Sequence, residues 1–205
     1  MKSILTILLF IGFISASAQT KFKLIENETD TWRSIYSLVD LENNTIRVLD
    51  SAKYYIALSG FEYGYFAILG KKGSPGWSAI DADENVLFQV YNTSFGEPSP
   101  DYLVENKIRI IDENNKIGFA NEKGKIIIQP QFEIATSFHN GYAIIGEKCK
   151  KIPWDNHHED GCNHYSIECE KHGYINEKGD IIKLGNITFD QIMEEIKWEP
   201  DEIEY

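Results

Sequence analysis

The stretch from Lys116 to Gly146, KIGFANEKGKIIIQPQFEIATSFHNGYAIIG, is echoed elsewhere in the chain. This self-similarity limits the possible folds more than any single motif does. Within it, Phe138-His139-Asn140-Gly141-Tyr142-Ala143-Ile144-Ile145 reads Phe-x-x-Gly-Tyr-x-x-Ile. The run from Phe61 to Ile68, 77 residues earlier, reads the same way. Residues Lys171–Ile182, KHGYINEKGDII, repeat the first half of the template nearly residue for residue. A more worn copy starts at Gly76-Trp77-Ser78-Ala79-Ile80-Asp81, turns at Asp83-Glu84-Asn85 and returns through Val86-Leu87-Phe88. In each copy a Gly beside an aromatic opens a strand, a polar turn reverses it, and a β-branched strand returns. Gln129-Pro130 leads the chain out of the ladder, because Pro has no N–H to donate. One such hairpin cannot cover its own apolar face, so neighbours must stack. The expectation is a mostly all-β fold of degenerate β-hairpin repeats in a solenoid- or propeller-like array, with linear and closed arrangements both open.

The flanks follow other rules. Lys2 precedes an eleven-residue apolar run, Ile4–Ile14, broken only by Thr6 and Gly12, and Ala16-Ser17-Ala18 supplies a small-x-small cleavage site. Residues 1–18 are therefore expected to be a signal peptide. The run is shorter than the ~20 residues a helix needs to cross a bilayer, so no transmembrane segment is expected in the mature chain. Residues 19–187 are expected to form the repeat domain, interrupted by an insertion at 150–170. Residues 188–205 form a short C-terminal helix and an acidic tail. Thr188-x-x-Gln191 has the capping-box pattern, Phe189, Ile192, Met193 and Ile196 share one helical face, and Pro200 ends the run.

The pattern Lys-x-Gly-[Phe/Tyr]-x-Asn-x-x-Gly-x-Ile-Ile, followed by Pro-x-Phe and Phe-x-x-Gly-Tyr-Ala, resembles the WG-repeat family of bacterial proteins. Lys116–Cys149 carries the fuller match and Lys171–Lys183 the first half; Gly76–Val104 and Asn43–Gly70 are diverged. Where the family has Trp before Gly, this chain has Ile117 and His172, while Trp77 follows Gly76. The resemblance implies repeat packing and protein interaction. It implies no reaction.

Export bears on the cysteines. In an oxidising compartment pairing is the default, and Cys149, Cys162 and Cys169 leave one over. Cys149 and Cys169 each end a strand, so a bridge between them would staple the base of the insertion, with Cys149–Cys162 the alternative. A loop of about 20 residues gains on the order of 3 kcal/mol from such closure. The insertion also holds three of the five His, so Cys162, His164 and His157 form an alternative metal set. Spacings of thirteen and seven between the cysteines lack the tight Cys-x(2–4)-Cys turn of a structural zinc site. Asp81-x-Asp83-x-Asn85 opens like a calcium loop, but Val86 stands where Gly is needed and Asn92 where Glu is needed. It reads as a hairpin turn. There is no Gly-x-Ser-x-Gly, no phosphate-cradling glycine loop and no second His after His158-Glu159. No catalytic residue, cofactor or metal is expected.

Tyr54, Tyr55, Tyr63 and Tyr65 crowd one region and are the candidate binding residues, because Tyr suits interfaces. A formal charge of −12 argues against nucleic acid and against an anionic membrane surface. The expected function is that of an exported (periplasmic, outer-surface or secreted), non-enzymatic module for a protein or cell-envelope partner. The alternative is a hydrolase or metal-binding protein using the Cys/His-rich insertion. An acidic partner of a basic effector is a third reading.

Overall fold

The structure, a computed structural model, describes residues 20–28, 34–57, 62–93, 99–153 and 165–199. The apolar N-terminal stretch expected to be a signal peptide, the centre of the insertion and the segment from Pro200 lie outside the described residues. Strands β1 (Lys23–Glu28), β2 (Ser34–Val39) and β3 (Thr45–Val48) make one antiparallel sheet. Next come β4 (Tyr54–Ala57), β5 (Ala67–Lys71), β6 (Trp77–Ile80) and β7 (Val86–Val90). A short pair, β8 (Asn92–Thr93) and β9 (Ser99–Pro100), precedes β10 (Lys107–Ile111), β11 (Ile117–Asn121) and β12 (Ile126–Phe132). The chain ends in β13 (Ile134–Ala135), β14 (Tyr142–Pro153), β15 (Tyr165–Asn176), β16 (Ile181–Gly185) and helix α1 (Phe189–Ile196). The second sheet runs β12-β11-β10-β7-β6-β5-β4 and the third β13-β14-β15-β16; neither closes on itself. Among the described residues the fold is mostly β with one helix, as the sequence leads one to expect. Among the described residues no helix is long and apolar enough to cross a membrane.

Four three-stranded meanders recur within these sheets: β1-β2-β3, β5-β6-β7, β10-β11-β12 and β14-β15-β16. In each, the second and third strands are joined by the same turn. Its first residue is Asp40, Asp81, Asn121 or Asn176, at intervals of 41, 40 and 55 positions. The side-chain Oδ1 of that residue accepts the N–H groups two and four residues on: Glu42 and Asn44, Asp83 and Asn85, Lys123 and Lys125, Lys178 and Asp180. The residue three on adopts positive φ, at Asn43, Glu84, Gly124 and Gly179. This is why Asp, Asn and Gly punctuate the copies. After each turn the ladder carries a bulge at the same place, so Val39↔Thr45 is followed by Leu38↔Arg47. Likewise Ile80↔Val86 is followed by Ala79↔Phe88, Ala120↔Ile126 by Phe119↔Ile128, and Ile175↔Ile181 by Tyr174↔Lys183. The Asp112 turn between β10 and β11 has the same hydrogen bonds but no bulge.

These turns correct the alignment drawn from sequence. Counting back from them, Trp77 stands where Ile117 and His172 stand, and Tyr36 stands there in the first meander. The family's Trp-Gly pair thus maps onto Tyr36-Ser37, Trp77-Ser78, Ile117-Gly118 and His172-Gly173, and Gly76 is not the equivalent of Gly118. A small residue is required there because the returning strand crosses close by. A Cβ on Gly118 would lie 2.5 Å from Ile128 O and Pro130 N, and one on Gly173 would collide with Lys183 O. The two Phe-x-x-Gly-Tyr runs also part company. Gly141 lies in the turn His139–Tyr142 with φ +77°, whereas Gly64 pairs with Phe22 in an antiparallel bridge.

The bulge gives each meander two working faces. The residue just before the turn (Ile80, Ala120, Ile175) packs on the preceding meander, and the residue before that (Leu38, Ala79, Phe119) packs on the following one. Leu24, Leu38, Ala67, Leu69 and Ile80 form the first joint; Trp77, Ala79, Phe88, Ile108, Ile110 and Ala120 form the second. Ile117, Phe119, Ala143, Ile145 and Ile175 form the third, where the Phe119 and Phe138 rings meet edge-on at 4.7 Å. The last exposed layer, Ile144 and Tyr174, is covered by Ile192, Ile196 and Trp198 of the C-terminal segment. Both halves of the Thr188 capping box are present, and Lys197 ends α1 in the left-handed conformation.

Candidate interaction site

Strands β14 and β15 have twelve residues each, where β5 and β10, which match β14, have five, and β6 and β11, which match β15, have four and five. Their register continues past Glu147↔Lys171 through Cys149↔Cys169, Lys151↔Ile167 and Pro153↔Tyr165. The insertion expected at 150–170 is thus an extension of two repeat strands into an arm, at least as far as Pro153 and Tyr165; residues 154–164 lie outside the described residues. Cys149 and Cys169 face each other with Cα atoms 4.0 Å apart and are bonded, the pairing favoured from the sequence. Gly146 makes room for this bond, since a Cβ there would lie 2.7 Å from the Cys169 sulfur. Glu133 anchors the base: its carboxylate accepts the Cys149 N–H at 2.7 Å and lies 3.7 Å from Lys116 Nζ. The Cys149 N–H, chiefly, holds the Glu133 carboxyl below its ordinary pKa.

Ion pairs Lys148–Glu170 at 2.8 Å and Lys171–Glu147 at 3.6 Å flank the bridge, and Lys151 Nζ lies 4.4 Å from the Tyr165 ring centre. Each is exposed and worth little in energy. Ile152 and Ile167 stand exposed on opposite faces of the arm. Between the arm and the Asp112 turn runs a crevice of about 220 Å³ lined by Lys116, Glu133, Ile134, Cys149, Lys151 and Ile167.

The four candidate tyrosines do not form one surface. Tyr54 is core: it is buried in the first joint and its hydroxyl donates to Glu84 at 3.0 Å. Burial first, and Glu84 second, push its pKa up to about 12. Tyr55 belongs to β4, but its side chain lies outside the described residues. Tyr63 and Tyr65 are half-buried, with Lys23 at 4.9 Å and Lys21 at 5.5 Å from their ring centres. Tyr63 also donates to Asn43. They serve as supports for lysine stems more than as a bare aromatic platform.

Cys162, His164 and His157, the alternative metal set, lie outside the described residues. Among the described residues there is no group of three His, Cys, Asp or Glu arranged to hold a metal. His172 packs beside Phe189 with Nδ1 3.2 Å from Ile187 O, and His139 meets the Trp198 ring at 4.9 Å. The Asp81 carboxylate is spent on its own turn.

One constellation escaped sequence reasoning. Asp101, 2% exposed, receives the Arg109 N–H, Nε and Nη2, the last at 2.6 Å, while Nη1 donates to Ala135 O and the guanidinium covers Tyr91. The pair fastens the β8–β9 excursion to β10 and is fully satisfied. No signal in the sequence marked it, because Arg109 alternates with the inward Ile108 and Ile110 and so reads as an ordinary outward residue of β10.

No curated protein and no solved structure matches the chain. Residues 117–147, from the Trp-Gly position of the third meander to the base of the arm, match the family described as WG containing repeat, and over that span the chain is similar to that family.

Proposed function

We propose that this is an exported, non-enzymatic repeat protein that acts as a protein- or envelope-interaction module, with the β14–β15 arm as its contacting element. The observation that carries the reading is the stapled arm itself. It extends a strand pair beyond what the repeat needs, exposes Ile152 and Ile167, and is held by Cys149–Cys169. Preorganisation of this kind lowers the ordering cost of binding. A structural disulfide is at home in an oxidising compartment, which agrees with the leader at residues 1–18. The meanders are read as a linear, solenoid-like stack, because every joint links consecutive meanders and α1 covers the last.

The test is a variant in which Lys148–Glu170 is replaced by Asn-Gly, a two-residue hairpin turn between Glu147 and Lys171. Both chains are then cross-linked to the producing cell's envelope fraction. A partner captured by the whole chain and lost with the arm, at unchanged circular dichroism, is the expected result. Partners retained without the arm would overturn it. Stoichiometric zinc with three free thiols would replace it by the metal-binding alternative.

A further inference from the structure

We infer that the cavity between the second and third meanders is a binding site for a neutral saccharide, held through the indole N–H of Trp77. The Asp112 turn separates this cavity from the crevice under the arm, so the inference goes beyond the arm reading and stands without it.

The cavity measures about 440 Å³, within the range of small-ligand sites, and all of its lining residues are described. It opens where Trp77↔Val90 of one meander meets Val90↔Ile110 and Gln89↔Ile111 of the joint. Trp77 holds the Trp-Gly position of its meander, where Tyr36, Ile117 and His172 stand in the others. The repeat therefore needs bulk there, not an indole. Elsewhere the polar atoms of such residues find partners: Tyr36 donates to Glu26, and His172 Nδ1 lies 3.2 Å from Ile187 O. Trp198 likewise donates its N–H to Ser137 O. Trp77 differs. It is only 8% exposed, yet among the described residues its Nε1–H has no acceptor. No fully buried side-chain nitrogen or oxygen lacks a partner, so this N–H reaches solvent, at the cavity that Trp77 lines. A donor so placed calls for an acceptor from outside the protein.

The rest of the lining sets the class of ligand. The side chains of Ser74, Asn92, Glu113 and Asn115 make no hydrogen bond or ion pair among the described residues, which leaves a hydroxyl, two carboxamides and a carboxylate to serve a ligand. Gly76 makes room for one of them, since a Cβ there would lie 3.3 Å from Asn92 Nδ2. Interleaved donors and acceptors beside Pro75, Val90 and Ile111 match a sugar ring, whose hydroxyls donate and accept and whose C–H faces are apolar. Asp112 and Glu113 line the cavity and no Lys or Arg does, so phosphate and carboxylate ligands are repelled. A peptide strand finds no free ladder to join. Here β7 is paired on both edges, and the N–H groups of Asn114, Asn115 and Lys116 are taken within the Asp112 turn. One joint on, Ile117 and Ile134 hold the places of Trp77 and Asn92, and Lys116, Lys150 and Lys151 join the lining. That crevice is the internal control.

The test follows the indole N–H resonances of the whole chain by NMR while neutral tetrasaccharides of glucose, mannose, galactose and N-acetylglucosamine are added. The Trp77 signal, assigned by its loss in Trp77→Phe, should move saturably with at least one of them, while that of Trp198 stays in place. Asn92→Ala and Glu113→Ala, both at exposed residues, should each weaken that binding about tenfold. Lys151→Ala, in the arm crevice, should leave it unchanged. A Trp77 signal that no tetrasaccharide moves would overturn the inference, as would binding that ignores both Asn92→Ala and Glu113→Ala. Equal or tighter binding of inorganic phosphate or of a capped neutral tetrapeptide at the same signal would overturn the ligand class.

Discussion

The stacked meanders and the β14–β15 arm are the same kind of antiparallel ladder, continuous along the same two strands, yet different forces hold them. At Tyr142–Gly146 the strand is sealed between neighbours: Ala143, Ile144 and Ile145 have 1% exposure or less. From Lys148 to Pro153 no residue is buried, and cohesion passes to a covalent bond, Glu133 and exposed ion pairs. A two-stranded ribbon in water is marginal by itself. What a strand contributes to stability therefore depends on what covers it, and the boundary falls within two residues, between Gly146 and Lys148.

The comparison breaks first if the stack tolerates loss of a joint residue. Phe119→Ala should lower unfolding free energy by about 4 kcal/mol in denaturant titration, because the ring is 1% exposed and bridges the third and fourth meanders. A loss under about 1 kcal/mol would show that the joints do not hold the body together. Gly118→Ala comes next, at about 3 kcal/mol, since the new methyl meets backbone at 2.5 Å and backbone cannot rotate away. The control is Ser78→Gly, at the equivalent position of a meander that already accommodates a Cβ. It should cost no more than about 1 kcal/mol, and a cost equal to that of Gly118→Ala would refute the shared geometry.

Most of the repeat was legible because its turns are chemically expensive to alter. An acceptor side chain followed three residues later by Asn or Gly, as at Asp40, Asn121 and Asn176, is visible in sequence, and so is the capping box at Thr188; the Asp81 turn, with Glu84 at that place, is less plain. The register was less legible. Gly76-Trp77 mimics the family dipeptide in reverse, and only the distance to Asp81 shows that Trp77 is the equivalent of Ile117. The first meander was missed because Tyr36-Ser37 keeps the sizes of the family pair but neither letter. The tyrosines misled for a related reason. Clustering in sequence says nothing of facing, and Tyr54 turned into the first joint while Tyr63 and Tyr65 took lysine partners. The Cys149–Cys169 pair was readable because both residues sit at ends of recognisable copies. The buried Asp101–Arg109 pair was not, since its partners are brought together by an excursion with no repeat pattern.

For the arm, replacing Cys149 and Cys169 by Ser should cost at most about 3 kcal/mol in global stability. Hydrogen exchange separates the two regions. Amides of Lys150–Ile152 and Tyr165–Glu168 should lose protection, while those of Ala143–Ile145 keep it. Loss of protection in both regions together would mean that arm and body unfold as one unit.

The smallest effect concerns the anchor at the base of the arm. Glu133 has a folded pKa below its ordinary 4.5, chiefly because its carboxylate accepts the Cys149 N–H. For a lowered carboxyl, the stabilising contribution is complete above the unfolded value and is lost as pH falls through the folded one. The Cys149 amide resonance should therefore titrate with a midpoint below 4.5, while neutral pH leaves it fixed. Glu195 is also lowered, by Lys183 first, so the α1 contact should weaken in the same acidic window. Lys183 itself is raised above 10.5 by Glu195, so its share of that contact is lost only as pH rises beyond this value. Glu133→Gln should abolish the acid titration at Cys149 and leave that of Tyr174 beside Glu195 unchanged. A Cys149 midpoint at or above 4.5 would mean that Glu133 does not hold the arm, and that the disulfide alone fixes it to the stack.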